Sequence, residues 1–417
     1  MSAAERTGGA KRPVAAVLAL GGAAFFLLAG YEFARSASSS LFITAYGARR
    51  LPWVLALSPV GTLAIVYAYG WVLTRLGSRR TLAVTTLASG LGLAAGYLGV
   101  ISGVPLAAAG LYVLREAYIV VLIEQYWSYI NSTLTDGQAR RLNGPVAGIA
   151  SVGSILGGMI GGRLVASVGT EQFVLFAALS AVPAAAMGLL AFRLGGEPAR
   201  EADEPAGRGH LSLGLFRQHR VLPMLLAVIA CTQLIAAVLD VAFGELVETA
   251  YATQDERSTF FYHFWTGVNV GAFALQFVVA PLLLPRLSLR HLHAAIPLLH
   301  LAAAAALLLH PTLAVGAGAF LLFKAVDYSL FRAGKEVLYI PLPFDARYRA
   351  KEVIDAFGYR LAKGGGSLTL GVVEELVGLI LGAGAAMPFA VFPAVAGLAS
   401  GLWLVLVRRL LRSGDQS

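Results

Sequence analysis

Between Tyr328 and Ser367 the chain reads YSLFRAGKEVLYIPLPFDARYRAKEVIDAFGYRLAKGGGS, with apolar runs on both sides. This stretch carries Arg332, Lys335, Glu336, Asp355, Arg360 and Lys363. Arginine and lysine offer only donors, and they bond most strongly to phosphate or carboxylate oxygens. A charge at bilayer depth costs about 2.5–3.5 kcal/mol on insertion scales, so within a membrane span it marks a substrate or ion path by default. Arg332 and Glu336 are four residues apart and can pair on a helix, which leaves Lys335 to meet an anion. The same three residues could instead close a gate as ion pairs. Arg360 and Lys363 precede Gly364–Gly366, glycines that let a helix bend or a neighbour approach. An ATPase loop is excluded there, because the G-x-x-x-x-G-K-[ST] order is missing and no strand precedes it.

Other charged or polar residues sit inside apolar runs. Arg35 is followed by Ser36, Ser38, Ser39 and Ser40, whose hydroxyls can bond backbone or substrate. Glu124, Trp127, Ser128 and Asn131 recur at i, i+3, i+4 and i+7, one helix face aimed at a cavity or a neighbouring helix. Asp240, seven residues after Gln233, and Glu245 and Glu248 form an acidic run suited to coupling or gating. Asp355 joins Asp240 and Glu245 as a coupling or gate residue. His263 has no partner at ligand spacing, so no metal and no cofactor are expected. Nothing indicates covalent chemistry, and an enzyme is not expected.

The elements that must position these residues follow from composition. Of the 417 residues, 58% are hydrophobic and only 13% charged, with a mean hydropathy of +0.73. Soluble domains carry about 25% charged residues. The chain therefore reads as an all-α polytopic membrane protein, and its length holds about twelve spans of about 20 residues. Span one is placed at about Val14–Tyr46. Spans two and three are separated by a basic loop, Gly77–Arg80. A polar loop, Thr133–Asn143, follows span four. Span seven is placed at about Leu222–Ala250, span ten at about Leu313–Ile340 and span eleven at about Glu352–Leu381. Cys231, the sole cysteine, falls in an apolar run and cannot form an internal disulfide.

The net charge of +9 comes from Lys and Arg in short loops, which argues for membrane topology rather than a nucleic-acid partner. Loops holding Arg75, Arg79, Arg80, Arg140, Arg141, Arg408 and Arg409 fall on one side, against Arg49, Arg50 and Arg257 on the other. Both termini are then expected in the cytoplasm, with the protein in the inner membrane. Weak similarity at an offset of about half the chain, such as GWVLTRLGSRR against LLLPRLSLR, points to two pseudo-symmetric six-helix bundles. The expected division is 1–194, a linker 195–220, and 221–417. GWVLTRLGSRR also resembles the signature between spans two and three of the major facilitator superfamily, with Thr74 where an acid is usual.

KEVLYIPLP (Lys335–Pro343) and RAKEVIDAFGYRLAKGGGS (Arg349–Ser367) resemble the ATP/ADP translocase family of plastids and intracellular bacteria. Lys335, Glu336, Tyr339, Pro341, Lys351, Asp355, Gly358, Arg360 and Lys363 match its pattern, and EQYWSYIN from Glu124 resembles its span-four segment. The resemblance implies a nucleotide transporter of about twelve spans. In span one the family has R-D-T-K-D-T-L. Arg35 and Leu41 fit that pattern, but Ser38 stands in place of the lysine. The resulting expectation is a monomeric secondary transporter in the lipid bilayer that exchanges a nucleotide or other phosphorylated or anionic metabolite. Arg35, Arg332, Lys335, Arg360, Lys363, Tyr339 and Asn131 would contribute to the site, with Glu124, Asp240 and Glu336 pairing the cations when it is empty. A proton-coupled exporter of an unrelated solute and a non-transporting scaffold or sensor are the alternatives.

Overall fold

The computed structural model describes residues 12–197, 216, 218, 221–339, 354, 358–382 and 385–414. Eleven helices hold nearly all of them: α1 Pro13–Tyr46, α2 Leu51–Ile101, α3 Pro105–Thr133, α4 Asp136–Val168, α5 Thr170–Gly195 and α6 Val221–Ala250, then α7 Gln254–Leu283 and α8 Leu289–Leu309, α9 Leu313–Tyr339, α10 Tyr359–Leu381 and α11 Val391–Gly414. All eleven are long and apolar enough to cross a membrane. No strand occurs among the described residues.

Helix α2 accounts for the twelfth crossing. Its 51 residues would run about 76 Å at 1.5 Å per residue, more than twice an apolar bilayer core. Gly77, at φ +73°, breaks it in two. Only this one residue is non-helical, so the expected loop at Gly77–Arg80 contracts to a kink. The next segment starts at Ser78 because Glu197 accepts from Ser78 Oγ at 3.1 Å and from the Arg79 N–H at 3.2 Å. That carboxylate satisfies donors that a helix start leaves orphaned. The expected polar loop at Thr133–Asn143 contracts as well. The Thr135 N–H donates to Gln138 Oε1 at 3.1 Å, one arm of a capping box that starts α4 at Asp136.

The chain forms two compact units. Unit 1 comprises Met1–Tyr46, Val60–Gly207 and Ala252–Asn269; unit 2 comprises Gly47–Pro59, Arg208–Tyr251 and Val270–Ser417. In unit 1, α1 packs against α3, α4 and α5. In unit 2, α6 packs against α9, α10 and α11. Counted in crossings, the first of each set of six packs against the fourth, fifth and sixth. The two sets of six crossings thus repeat one packing scheme.

Close approach in unit 1 depends on small residues. Gly153 and Gly157 of α4 lie one turn apart against the backbone of α1, and a Cβ at Gly157 would fall 2.7 Å from the Ala29 carbonyl oxygen. Small residues at this spacing let backbones meet where lipid supplies no hydrophobic drive. The opposite ends of α1 and α5 are tied to α7. The Asp255 carboxylate accepts from the Thr170 N–H and hydroxyl at 2.9 and 2.6 Å, and Ser40 Oγ donates to the Gln254 carbonyl at 2.6 Å.

Candidate functional site

In unit 1 the buried charges converge on α1. Glu32 is 1% exposed and Arg35 5%. One turn apart, they pair through Arg35 Nη2 at 2.6 and 2.5 Å from the two carboxylate oxygens. From α7, Asn269 Nδ2 donates to Glu32 Oε1 at 2.9 Å. The Arg35 guanidinium lies 3.7 Å from the centroid of Trp265 and 5.1 Å from that of Tyr31. A planar, weakly hydrated cation is well suited to such aromatic faces.

Arg115 enters the same region from α3 and is also buried. Its Nη1 donates to Ser39 Oγ at 2.7 Å, to Ser38 Oγ at 3.0 Å and to the Arg35 carbonyl. The guanidinium carbon stands 3.7 Å from the centroid of Tyr112. Ser38 also donates to the Ala34 carbonyl at 2.6 Å. The sequence reading named Arg35 as a candidate and not the residues the structure gathers around it, Glu32, Arg115, Trp265 and Asn269. The available signal was the pair of charges inside otherwise apolar runs, Glu32 in span one and Arg115 in span four.

In unit 2, α9 takes a single π turn at Asp327–Phe331 and then carries Arg332, Lys335, Glu336 and Tyr339. Such turns shift the register of the residues beyond them and are frequent at functional sites. Here the shifted turn leaves Arg332 exposed and Glu336 half-buried, and buries Lys335 and Tyr339 at 4% and 2% exposure. Lys335 Nζ lies 5.0 Å from the ring centroid of Tyr359, the first residue of α10. Lys363 follows Tyr359 by four residues and so shares its helix face. Arg360 and Lys363 are both half-buried. Tyr339, one turn after Lys335, packs with Leu222, Leu225, Ile229 and Ile354. The glycines after Lys363 divide their roles: Gly364 lies against Pro59 and Gly366 against Leu234, while Gly365 faces open space.

A further polar cluster in unit 2 gathers around Gly47, whose φ of +80° makes the turn into Ala48–Arg50. Only glycine adopts this conformation readily. Glu248 accepts from the Ala48 N–H at 2.9 Å. Arg49 Nε donates to Glu374 Oε1 at 2.8 Å, and its Nη2 donates to the Ala385 carbonyl at 2.6 Å. Glu374 also accepts from the Met387 N–H at 3.0 Å, and Arg50 pairs with Glu375. Glu245 is half-buried one turn before Glu248.

Other expected residues stand apart from these clusters. Glu124, Ser128 and Asn131 form an exposed face of α3 with Trp127 half-buried beside them. Glu124 lies nine residues from Arg115, roughly 13 Å along the axis and half a rotation away, so this face does not join the arginine pair. Asp240 is half-buried on α6. Asp355, with Pro341 and Lys351, lies outside the described residues. Among the described residues, no group of three or more metal-ligating side chains occurs.

The buried Lys335 and the α10 cations belong to the part of the chain that comparison with known families singles out. Residues 287–413 match the family model of the TLC ATP/ADP transporters. The matched region holds Arg332, Lys335, Tyr339, Arg360 and Lys363, and also Glu374 and Glu375. No curated protein matches the chain. Among solved structures, the nucleoside transporter NupG is similar over 95% of this chain and 98% of its own, with a TM-score of 0.65 at 11% identity. An auto-inhibited POT family peptide transporter is similar over 94% of this chain and 97% of its own, with a TM-score of 0.68 at 13% identity. A bacterial homologue of the iron transporter ferroportin, in its inward-facing state, covers 95% and 98%, with a TM-score of 0.67 at 16% identity. At these identities the likeness concerns the fold. Together with the family match it places the chain among multi-pass membrane transporters.

Proposed function

We propose that this transporter exchanges a nucleotide or another phosphorylated anion across the cytoplasmic membrane by alternating access, with both termini in the cytoplasm and its two six-helix halves, 1–194 and 221–417, moving against each other. The observation that carries this reading is Lys335. Its ammonium group is buried beside Tyr359, inside the region that matches the TLC ATP/ADP transporter model, with Asp327 on the preceding π turn as an electrostatic partner that an incoming anion could replace. Arg360 and Lys363 add positive charge on α10, whose first residue, Tyr359, lies against Lys335. An anion bearing several phosphate oxygens can accept from several such donors at once. Glu32 balances Arg35 when no substrate is bound, and Asp327 and Glu336 are the acids of α9 nearest in sequence to Arg332 and Lys335. Arg49 and Arg50 with Glu374 and Glu375 act as a gate, whose ion pairs break and reform in each cycle.

Counterflow in proteoliposomes tests this. Labelled ADP should enter vesicles preloaded with unlabelled ATP or ADP at a rate at least ten times that into empty vesicles. Equal entry into both would refute exchange. Uptake that follows an imposed pH gradient and ignores the internal nucleotide would instead favour proton coupling.

A further inference from the structure

Arg115 is a buried cation to which the sequence reading assigned no role. Among the described residues its one ion pair is with Glu116, at 3.5 Å from Nε, longer than the 2.7–2.9 Å of an ordinary charge-assisted bond. Its other partners are neutral oxygens of α1: Ser38 Oγ, Ser39 Oγ and the Arg35 carbonyl. Arg35, by contrast, is matched by both oxygens of Glu32. The two arginines thus differ. One holds a carboxylate in front of Trp265, and the other presents a poorly neutralised guanidinium to two hydroxyls. Ser36 Oγ, beside them on α1, is fully buried and has no hydrogen-bond partner among the described residues. Ser39, Tyr31 and Asn269, around the cluster, are half-buried.

We infer that Arg115 and the Ser38–Ser39 hydroxyls form an oxyanion site that takes a phosphate group of the transported substrate, with Glu32 holding Arg35 as an internal counter-anion until the substrate's own oxygens replace it. The inference rests on the exchange reading above and assigns its anion a landing place within unit 1. Ser39 Oγ, which accepts from Arg115, can rotate to donate to a phosphate oxygen, and Ser38 Oγ can do so by giving up its bond to the Ala34 carbonyl. The guanidinium supplies further donors in a fixed fork. A serine at position 38 leaves room for a guanidinium arriving from α3, whereas a lysine there would bring its own charge on α1.

The test measures thermal stabilisation of the purified full-length protein by ADP, by inorganic phosphate and by uncharged adenosine. The variants are Arg115→Gln, Arg115→Lys and Arg115→Gln/Ser38→Lys. ADP should stabilise the wild type, and adenosine should not. Arg115→Gln should bind ADP on the order of 10- to 100-fold more weakly, the range of a lost hydrogen bond to a charged group. Arg115→Lys should keep part of the affinity, and Ser38→Lys should restore binding to the Gln variant by returning a cation to the same hydroxyl position. If Arg115→Gln fails to fold, the double variant decides: ADP binding in it supports the site, and a folded double variant blind to ADP overturns it. A wild type stabilised by none of the anions contradicts the exchange reading and this site with it. A wild type and an Arg115→Gln variant stabilised equally by ADP contradict the Arg115 assignment alone.

Discussion

Glu32→Ala lowers stability by about 3–5 kcal/mol, the cost of leaving a buried guanidinium without its partner. Both members of the pair are less than a tenth exposed, so little of this is lost to solvent screening. Arg35→Ala does comparable damage by stranding the carboxylate against Trp265 and Asn269. The double variant Glu32→Gln/Arg35→Gln removes both charges at similar volume, and it should recover most of the stability, because a buried pair replaced whole is often neutral. Transport should not recover with it. Denaturation midpoints set beside ADP counterflow in the three variants separate the two effects. A stable double variant that still exchanges ADP at the wild-type rate would reduce the pair to a structural device.

The second large effect concerns Arg49 and Glu374. Arg49 is 43% exposed and Glu374 12%, so the pair adds little to stability. Its proposed value lies in cycling, since a gate must close with a defined contact and open again. Arg49→Glu should cut exchange by at least tenfold with a melting temperature close to wild type. Arg49→Glu/Glu374→Arg should restore part of the rate, because the ion pair can re-form although the bonds to the Ala385 carbonyl and from the Met387 N–H are lost. Exchange measured in Arg49→Glu, in Glu374→Arg and in the reversal decides the matter. Single variants as fast as wild type would remove the gate from the account.

Much of the fold was legible in the sequence because membrane spans announce themselves through long apolar runs. The break between spans two and three was visible as a basic stretch. Its contraction to Gly77 was not, because it depends on Glu197 arriving from a distant part of the chain to cap the next segment. The capping signal Thr135–Gln138 was present in the letters and was overlooked in favour of the polar composition around it. Lys335 stood out because a lysine after a long apolar helix is costly. Its burial beside Tyr359 depends on the π turn at Asp327–Phe331, and no local pattern gives that turn away. Arg35 was identifiable from charge alone. Its partnership with Glu32 follows helix spacing, but Trp265, Asn269 and Arg115 reach it from α7 and α3, and single-chain periodicity cannot pair helices. The Glu124–Asn131 face was correctly assigned to one side of a helix. That side proved to be the one turned away from Arg115.

All of these expectations depend on buried basic residues serving an anion. The most direct measurement is ligand-induced thermal stabilisation of the wild type by a panel of nucleotides and phosphorylated metabolites, repeated with Lys335→Ala. At ligand concentrations about 100 times the dissociation constant, stabilisation should approach 2.7 kcal/mol. The account predicts a clear upward shift with at least one phosphorylated anion, none with its dephosphorylated counterpart, and loss of the shift in folded Lys335→Ala. An anion-induced shift of the same size in wild type and Lys335→Ala would contradict it.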